Sequence, residues 1–210
     1  MASHIASEIR RRETKLPRQS RGKARVEALL QAAGEVFAEK GFEAATMTEI
    51  ASAAGASIGS LYQYFPTKDD LAAELHARQL DAFASMLEEL GRSQAGRSVD
   101  EMTESLFDRL LRFLEENPAF VIVGNRRSID PIVKKASRNR LRALIGTLLA
   151  EAVPPVPEGR RKPLAAVLLH LIRVATQLRE DDDLSVRDSA VAELRVMLRG
   201  HLVATAAGKS

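Results

Sequence analysis

The chain has 210 residues, no cysteine, 45% hydrophobic residues and a net charge of only +3. This length can bury a core in one large or two smaller domains, and the absence of cysteine excludes disulfides, thiolate metal sites and a cysteine nucleophile. With no secretory-signal pattern and no apolar run long enough to cross a bilayer, the composition predicts a soluble, cytoplasmic protein.

Positive charge is concentrated at the N-terminus. The first 25 residues contain eight arginines and lysines against two glutamates. Such a segment is most often a solvated tail, although it is also suited to contact nucleic acid. We expect residues 1–21 to form a basic, flexible tail.

Apolar residues recur with a helical period from Val26 onward, which predicts an all-α protein of nine helices. The first helix ends at Gly41. Thr46 opens a capping box for a second helix, which Gly55 terminates. Ser57 caps a third helix that ends before a proline.

The fourth helix begins after a second capping box at Thr67 and is predicted to reach about Leu90. Residues 91–97 are rich in Gly, Ser and Gln, which predicts a loop. Ser98 then opens a third capping box and a fifth helix.

Asn117 and Asp130 are each followed by proline, a pairing typical of helix starts. They predict a short sixth helix and a long seventh helix that ends near Ala152. The last two helices are expected over about 160–179 and 186–202, with an acidic turn between them.

The second and third helices have the dimensions of a helix-turn-helix. Gly59 and Ser60 are small enough for close approach to DNA, while Tyr62, Gln63 and Tyr64 cannot all turn inward with the apolar residues. Tyrosine hydroxyls bind phosphates, and glutamine can bind an adenine edge. For the segment in isolation, half-buried tyrosines in ordinary packing are an equal alternative.

The segment TMTEIASAAGASIGSLYQYFPTKDDL, residues 46–71, closely resembles the DNA-binding signature of TetR-family transcriptional regulators. The resemblance extends over about residues 22–75 and implies DNA contacts by two groups of residues. These are Thr46, Thr48 and Lys68 around the two helices, and Ser57, Ile58, Gly59, Ser60, Tyr62, Gln63 and Tyr64 within the third. Many relatives carry a polar or basic residue where this chain has Ile58, which can touch a thymine methyl but cannot hydrogen-bond to a base.

The resemblance also implies a homodimer through the eighth and ninth helices and an effector pocket enclosed by helices 4 to 7. The expected domains are a DNA-binding domain at 22–67, an effector and dimerisation domain at 68–206, and a short tail at 207–210. Apolar stripes in the last two helices are long enough to suggest the dimer interface; they comprise Leu164, Leu168, Leu171, Leu178, Val191, Leu194, Leu198 and Leu202.

Candidate effector-binding residues lie on several predicted helices. His170, Arg173 and Gln177 share one face of the eighth helix, which faces either the pocket or the dimer interface or solvent. Phe107 and Phe113 suit either an apolar pocket wall or the core, and Arg127 suits either an anionic ligand or a solvated helix end.

No metal-ligand spacing, phosphate loop or nucleophile motif occurs, so the sequence predicts neither an enzyme nor a cofactor or metal site. The predicted function is a ligand-responsive repressor that a small lipophilic effector releases from a palindromic DNA operator. The alternatives are a TetR-like sensor or scaffold that does not bind DNA and, less favoured, a small-molecule enzyme in the helical pocket.

Overall fold

The computed structural model describes residues 18–126, 130–179 and 184–208, and within these ranges it contains nine α-helices and no β-strand. Most of the predicted basic tail, residue Arg127 and the last two residues lie outside the described residues. The helices are α1 (Arg18–Ala44), α2 (Met47–Ala53), α3 (Ile58–Tyr64), α4 (Lys68–Gln94), α5 (Val99–Glu116), α6 (Phe120–Gly124), α7 (Pro131–Glu151), α8 (Glu158–Arg179) and α9 (Leu184–Ala206).

Local sequence signals set most of the helix starts. All three predicted capping boxes form: Thr46 Oγ1 accepts from the Glu49 amide at 3.2 Å, and Thr67 and Ser98 cap α4 and α5 in the same way. The Asp130 side chain caps α7 by accepting from the Ile132 amide at 2.7 Å. These predictions are confirmed because a capping box needs only four consecutive residues.

Some predicted helix boundaries were wrong. Asn117 does not open α6; it ends α5, where its side-chain nitrogen donates to the Phe113 carbonyl at 3.0 Å. The apolar stripe from Val26 belongs to a helix that begins at Arg18, and Gly41, its predicted end, interrupts that helix with φ 75°. The fourth helix continues four residues past Leu90, through part of the predicted loop, because Gly91 and its neighbours keep the helical hydrogen bonding.

Two apolar cores divide the chain. The N-terminal core joins α1, α2 and α3 to the start of α4 and to Val123 of α6, with Leu29, Phe37, Ile50 and Leu61 fully buried. The C-terminal core contains the remainder of α4 and the helices from α5 to α9. Because α4 has 27 residues, it is about 40 Å long and enters both cores.

The structure divides the predicted dimer stripe. Leu164, Leu168, Leu198 and Leu202 are buried in the core of the single chain, and their place in a dimer interface stays a prediction. The other four predicted residues are half-buried, and Leu171, Val191 and Leu194 pack on that same core from partly exposed positions. Among the described side chains of α8 and α9, the exposed large apolar ones are Val167, Val174, Val196, Met197 and Val203.

Candidate functional site

The start of α2 is held by a compact polar network. Glu49 accepts from the Thr46 amide at 3.0 Å and from the Thr46 hydroxyl at 2.8 Å, and Lys40 of α1 donates to Glu49 at 2.7 Å. The hydrogen bond from Lys40 and those from Thr46 lower the pKa of Glu49 to about 2. The carboxylate therefore stays ionised at neutral pH and fixes the beginning of α2 against α1.

The α3 helix presents nearly all of its surface to solvent. Leu61 is its one buried residue, and Phe65 anchors the chain just beyond its end. Gly55 adopts φ 59° in the turn before α3, a conformation that favours glycine. The Ser57 hydroxyl caps α3 by accepting from the Ser60 amide at 3.2 Å. A short helix fixed at both ends thus projects outward from the N-terminal core.

The structure brings most of the predicted DNA-contacting residues together on this projection. Ile58 is 39% exposed, Tyr62 49% and Tyr64 39%. Gly59 and Gln63 are exposed as well, Ser60 is half-buried, and Thr46, Thr48 and Ser57 are exposed around the starts of α2 and α3. Their roles in DNA binding remain predictions, but their accessibility is compatible with those roles.

The Lys68 side chain is bound by the protein's own backbone, which the sequence did not reveal. Its ammonium donates to the backbone carbonyls of Phe42, Glu43 and Ala45 at 2.7, 3.1 and 2.8 Å. An ammonium has three donors, so these contacts can use all of them. Lys68 thereby ties the start of α4 to the segment just before Thr46, and its predicted phosphate contact stays a prediction.

Arg126 joins the end of α6 to the same segment. Its guanidinium lies 3.7 Å from the centre of the Phe42 ring, pairs with Glu43, and approaches Asp69 of α4 at 3.6 Å. The Arg126 carbonyl accepts a hydrogen bond from Lys134 of α7. One residue thus connects the C-terminal helices with the connection into the helix-turn-helix.

A cavity of about 150 Å³ lies beside this junction, between α4, α6, α7 and α8. Its apolar lining is formed by Leu80, Phe120, Val121, Leu141 and Leu169, together with Gly124. Its polar lining is formed by His76, Asn125, Lys134, Ser137, Arg138 and His170.

His76 is the buried polar residue of this cavity. Its ring lies 5.5 Å from that of Phe120, and its Nδ1 has no hydrogen-bond partner in the described part of the chain. A Cβ placed on Gly124 would lie 2.8 Å from His76 Cε1, so glycine is the residue that fits opposite this ring. Burial, and to a smaller extent the Lys134 ammonium, lowers the pKa of His76 from 6.5 to about 4. The imidazole is therefore neutral at pH 7.

The predicted effector residues are divided among different environments. His170 lines the cavity, whereas Gln177 is exposed. Phe107 lines a separate apolar cavity of about 20 Å³, and Phe113 packs against Phe83 with ring centres 4.9 Å apart. The Arg173 side chain lies outside the described part of the chain, as Arg127 does.

His76, Lys134 and Arg138 were not among the residues predicted for the site. A signal existed for His76, because it continues the apolar stripe of α4 defined by Ala72 and Phe83 at helical spacing. A polar residue in such a stripe is buried and needs an explanation. No comparable signal marked Lys134 and Arg138, which lie on a helix whose surface carries many basic residues.

The described ranges contain neither the ligand cluster of a metal site nor a membrane-spanning helix. No group of three or more His, Asp or Glu side chains there is arranged to hold a metal ion. None of the helices in those ranges has the length and apolarity needed to cross a membrane.

Comparison with known families decides the classification. Residues 29–75 match the family of bacterial regulatory proteins named tetR, and residues 98–202 match the tetracyclin repressor-like C-terminal domain. The chain belongs to the TetR family. The first matched segment covers the helix-turn-helix and the start of α4, and the second covers α5 to most of α9.

Curated relatives of this TetR-family protein are named as transcriptional regulators rather than enzymes. The HTH-type transcriptional repressor KstR2 of Mycobacterium tuberculosis is 33% identical over 95 residues, which are 45% of this chain and 46% of that protein. The HTH-type transcriptional activator FasR of Mycolicibacterium smegmatis is 43% identical over 75 residues, 36% of this chain and 32% of that protein. The chain thus spans less than half the length of these curated relatives.

Solved structures support the fold over a longer range. The transcriptional regulator FadR from Bacillus subtilis, crystallised in complex with stearoyl-CoA, superposes with a TM-score of 0.67. The superposition covers 85% of this chain and 98% of FadR at 21% identity. At this identity the likeness establishes the all-α TetR-like fold.

Proposed function

We propose that this TetR-family protein is a transcriptional regulator that binds a palindromic DNA operator and is released from it by a small lipophilic effector. The observation that carries the proposal is the exposed surface of α3. Tyr62, Gln63 and Tyr64 project from a helix that is anchored through Leu61 and Phe65 and capped by Ser57. Such a rigid, outward helix suits the major groove, where a glutamine amide can pair with adenine and tyrosine hydroxyls can bind phosphates.

The proposed dimer uses the exposed apolar side chains of α8 and α9. Val167 and Val174 lie on α8, and Val196, Met197 and Val203 lie on α9. Contiguous exposed apolar surface commonly marks a protein interface. A two-fold pair of subunits would present two α3 helices to half-sites about 34–36 Å apart, which is one turn of DNA.

Effector release is proposed to operate through α4 and Arg126. The cavity contacts α4 through His76 and Leu80, and α4 begins at Lys68 beside the connection into α2. Arg126 follows the cavity residues Gly124 and Asn125 and holds Phe42 and Glu43 of the same connection. A ligand that displaces α4 or α6 would shift the two α3 helices away from their operator spacing.

The proposal is tested by selecting bound duplexes from a random DNA library and sequencing them. A palindrome with half-sites about one turn apart is expected. Gln63→Ala should then relax the preference at one base pair per half-site, costing roughly 1–3 kcal/mol there, whereas Tyr64→Phe should weaken binding to all sequences.

Gln31→Ala is the matched control, because Gln31 is an exposed glutamine of α1 that lies in a groove between α1 and α4. It should leave the selected sequence and the affinity unchanged. Selection of no sequence, or equal effects of Gln63→Ala and Gln31→Ala, would refute the assignment of α3 as the DNA-binding helix.

A further inference from the structure

We propose that the cavity between α4, α6, α7 and α8 binds a compact apolar carboxylate, whose charged group lies between Lys134 and Arg138. This inference rests on the proposed function only in treating that ligand as the effector. The binding site itself is argued from the charges, the burial and the volume of the cavity.

The charged groups of the cavity have one sign. Lys134 and Arg138 line it from α7, and no described residue of its lining is an aspartate or glutamate. The two residues are four apart in the sequence, so their side chains lie on the same face of the helix. Both side chains carry N–H donors, so an anion in the cavity can accept charge-assisted hydrogen bonds from the two of them.

His76 forms the buried polar part of the cavity wall. The residue is 8% exposed, and its Nδ1, which has no hydrogen-bond partner in the described ranges, is itself inaccessible from the cavity. A ligand would therefore contact the rest of the imidazole, which lines the cavity beside Phe120. Because the imidazole is neutral at pH 7, it can donate one hydrogen bond and accept another.

The apolar wall of the cavity defines the uncharged part of the ligand. Leu80, Phe120, Leu141 and Leu169 form an apolar surface opposite the basic residues. A volume of about 150 Å³ is comparable to that of an engineered apolar cavity that binds benzene. A single aromatic ring or a short branched chain fits this space, whereas a long acyl chain is larger than the cavity.

Lys134 also connects this site to the DNA-binding domain. Its ammonium donates to the carbonyl of Arg126, whose guanidinium lies over Phe42 and pairs with Glu43. An ammonium has three donors, so Lys134 can bind a carboxylate while it keeps this carbonyl. A ligand that moves the ammonium would therefore also move the contact that positions Arg126 at the connection into the helix-turn-helix.

The test uses three probes of nearly equal shape and different charge: 4-methylbenzoate, 4-methylbenzyl alcohol and 4-methylbenzylamine, with palmitate as a long-chain probe. Affinities are measured on the full chain by isothermal titration calorimetry. The carboxylate should bind at least about tenfold more tightly than the alcohol, because hydrogen bonds to charged groups contribute more than neutral ones. The amine and palmitate should bind more weakly than the carboxylate. Equal affinity for acid and alcohol, or preference for the amine or palmitate, would overturn the proposal.

Variants locate the charged group. Lys134→Met and Arg138→Met should each lower the affinity for 4-methylbenzoate about tenfold and leave that for the alcohol unchanged. Lys135→Met is the matched control, because Lys135 is the exposed neighbour of Lys134 and does not line the cavity. If Lys134→Met fails to fold, Arg138→Met remains as the test, since Arg138 is exposed. An equal loss in Lys135→Met, or no loss in Arg138→Met, contradicts the site.

Titration of the selected operator without any probe separates the two proposals. A protein that binds the operator but not 4-methylbenzoate refutes only the ligand inference. A protein that binds 4-methylbenzoate through Lys134 and Arg138 but selects no operator refutes only the regulator function.

Discussion

His76 should make the stability of the protein depend on pH between 6.5 and about 4. The carboxylates of the protein contribute little over most of this range. The folded state lowers the pKa of this histidine from 6.5 to about 4, so folding favours the neutral imidazole. Stability from this group is therefore fully present above pH 6.5 and is lost as the pH falls towards 4. The difference between the two pKa values corresponds to about 3 kcal/mol, since one pH unit is worth about 1.36 kcal/mol.

The assay is urea unfolding of the wild type and of His76→Leu between pH 7 and pH 4.5. Leucine is uncharged at every pH, so the variant cannot titrate at this position. Over this range the wild type should lose about 2 kcal/mol more than the variant, out of a total stability expected at about 5–15 kcal/mol. Contributions from Glu49, Asp100 and Glu101, whose pKa values are also lowered, are common to both proteins and cancel in the difference.

His201→Leu is the matched control, because His201 is exposed on α9. It should retain the pH dependence of the wild type. If His76→Leu shows the same loss of stability between pH 7 and pH 4.5 as the wild type, the burial of a neutral His76 is not the cause, and the electrostatic description of the cavity is wrong.

The remaining predictions concern interfaces within and between subunits. Arg126→Met should lower the free energy of unfolding by about 1 kcal/mol, through loss of the cation–π contact with Phe42, and lower Tm by about 2–4 °C, whereas Arg112→Met on the exposed face of α5 should not. Calorimetry checks both, and an unchanged Tm for Arg126→Met would contradict its structural role. Met197→Glu should convert dimers to monomers in light scattering, because it places a charge in the proposed apolar interface, while Ile132→Glu, at an equally exposed position on α7, should leave dimers intact. If the Met197→Glu variant remains dimeric, the interface does not include this face of α9.

The helices and the family of this protein follow from local signals in the sequence. Thr46, Thr67 and Ser98 start helices through hydrogen bonds within four residues, so each start was predicted without knowledge of the fold. Helical spacing around Leu61 indicated only that Tyr62, Gln63 and Tyr64 cannot all turn inward, and the exposure of both tyrosines was decided by the structure. The matches to TetR-family models confirm the classification that this segment suggested.

Contacts between residues far apart in the chain were decided by the tertiary structure alone. Helical periodicity indicated that Leu164 and Leu202 lie on apolar faces, but not whether those faces meet the same chain or a second copy. Lys68 was expected at DNA, yet its ammonium contacts carbonyls more than twenty residues away. Arg126 pairs with Glu43, which is 83 positions away in the chain, and the His76 ring of α4 lies against Gly124 of α6. Periodicity specifies which side of each helix is apolar; the crossing of the helices determines which side chains share a cavity, because that depends on the packing of all of them together.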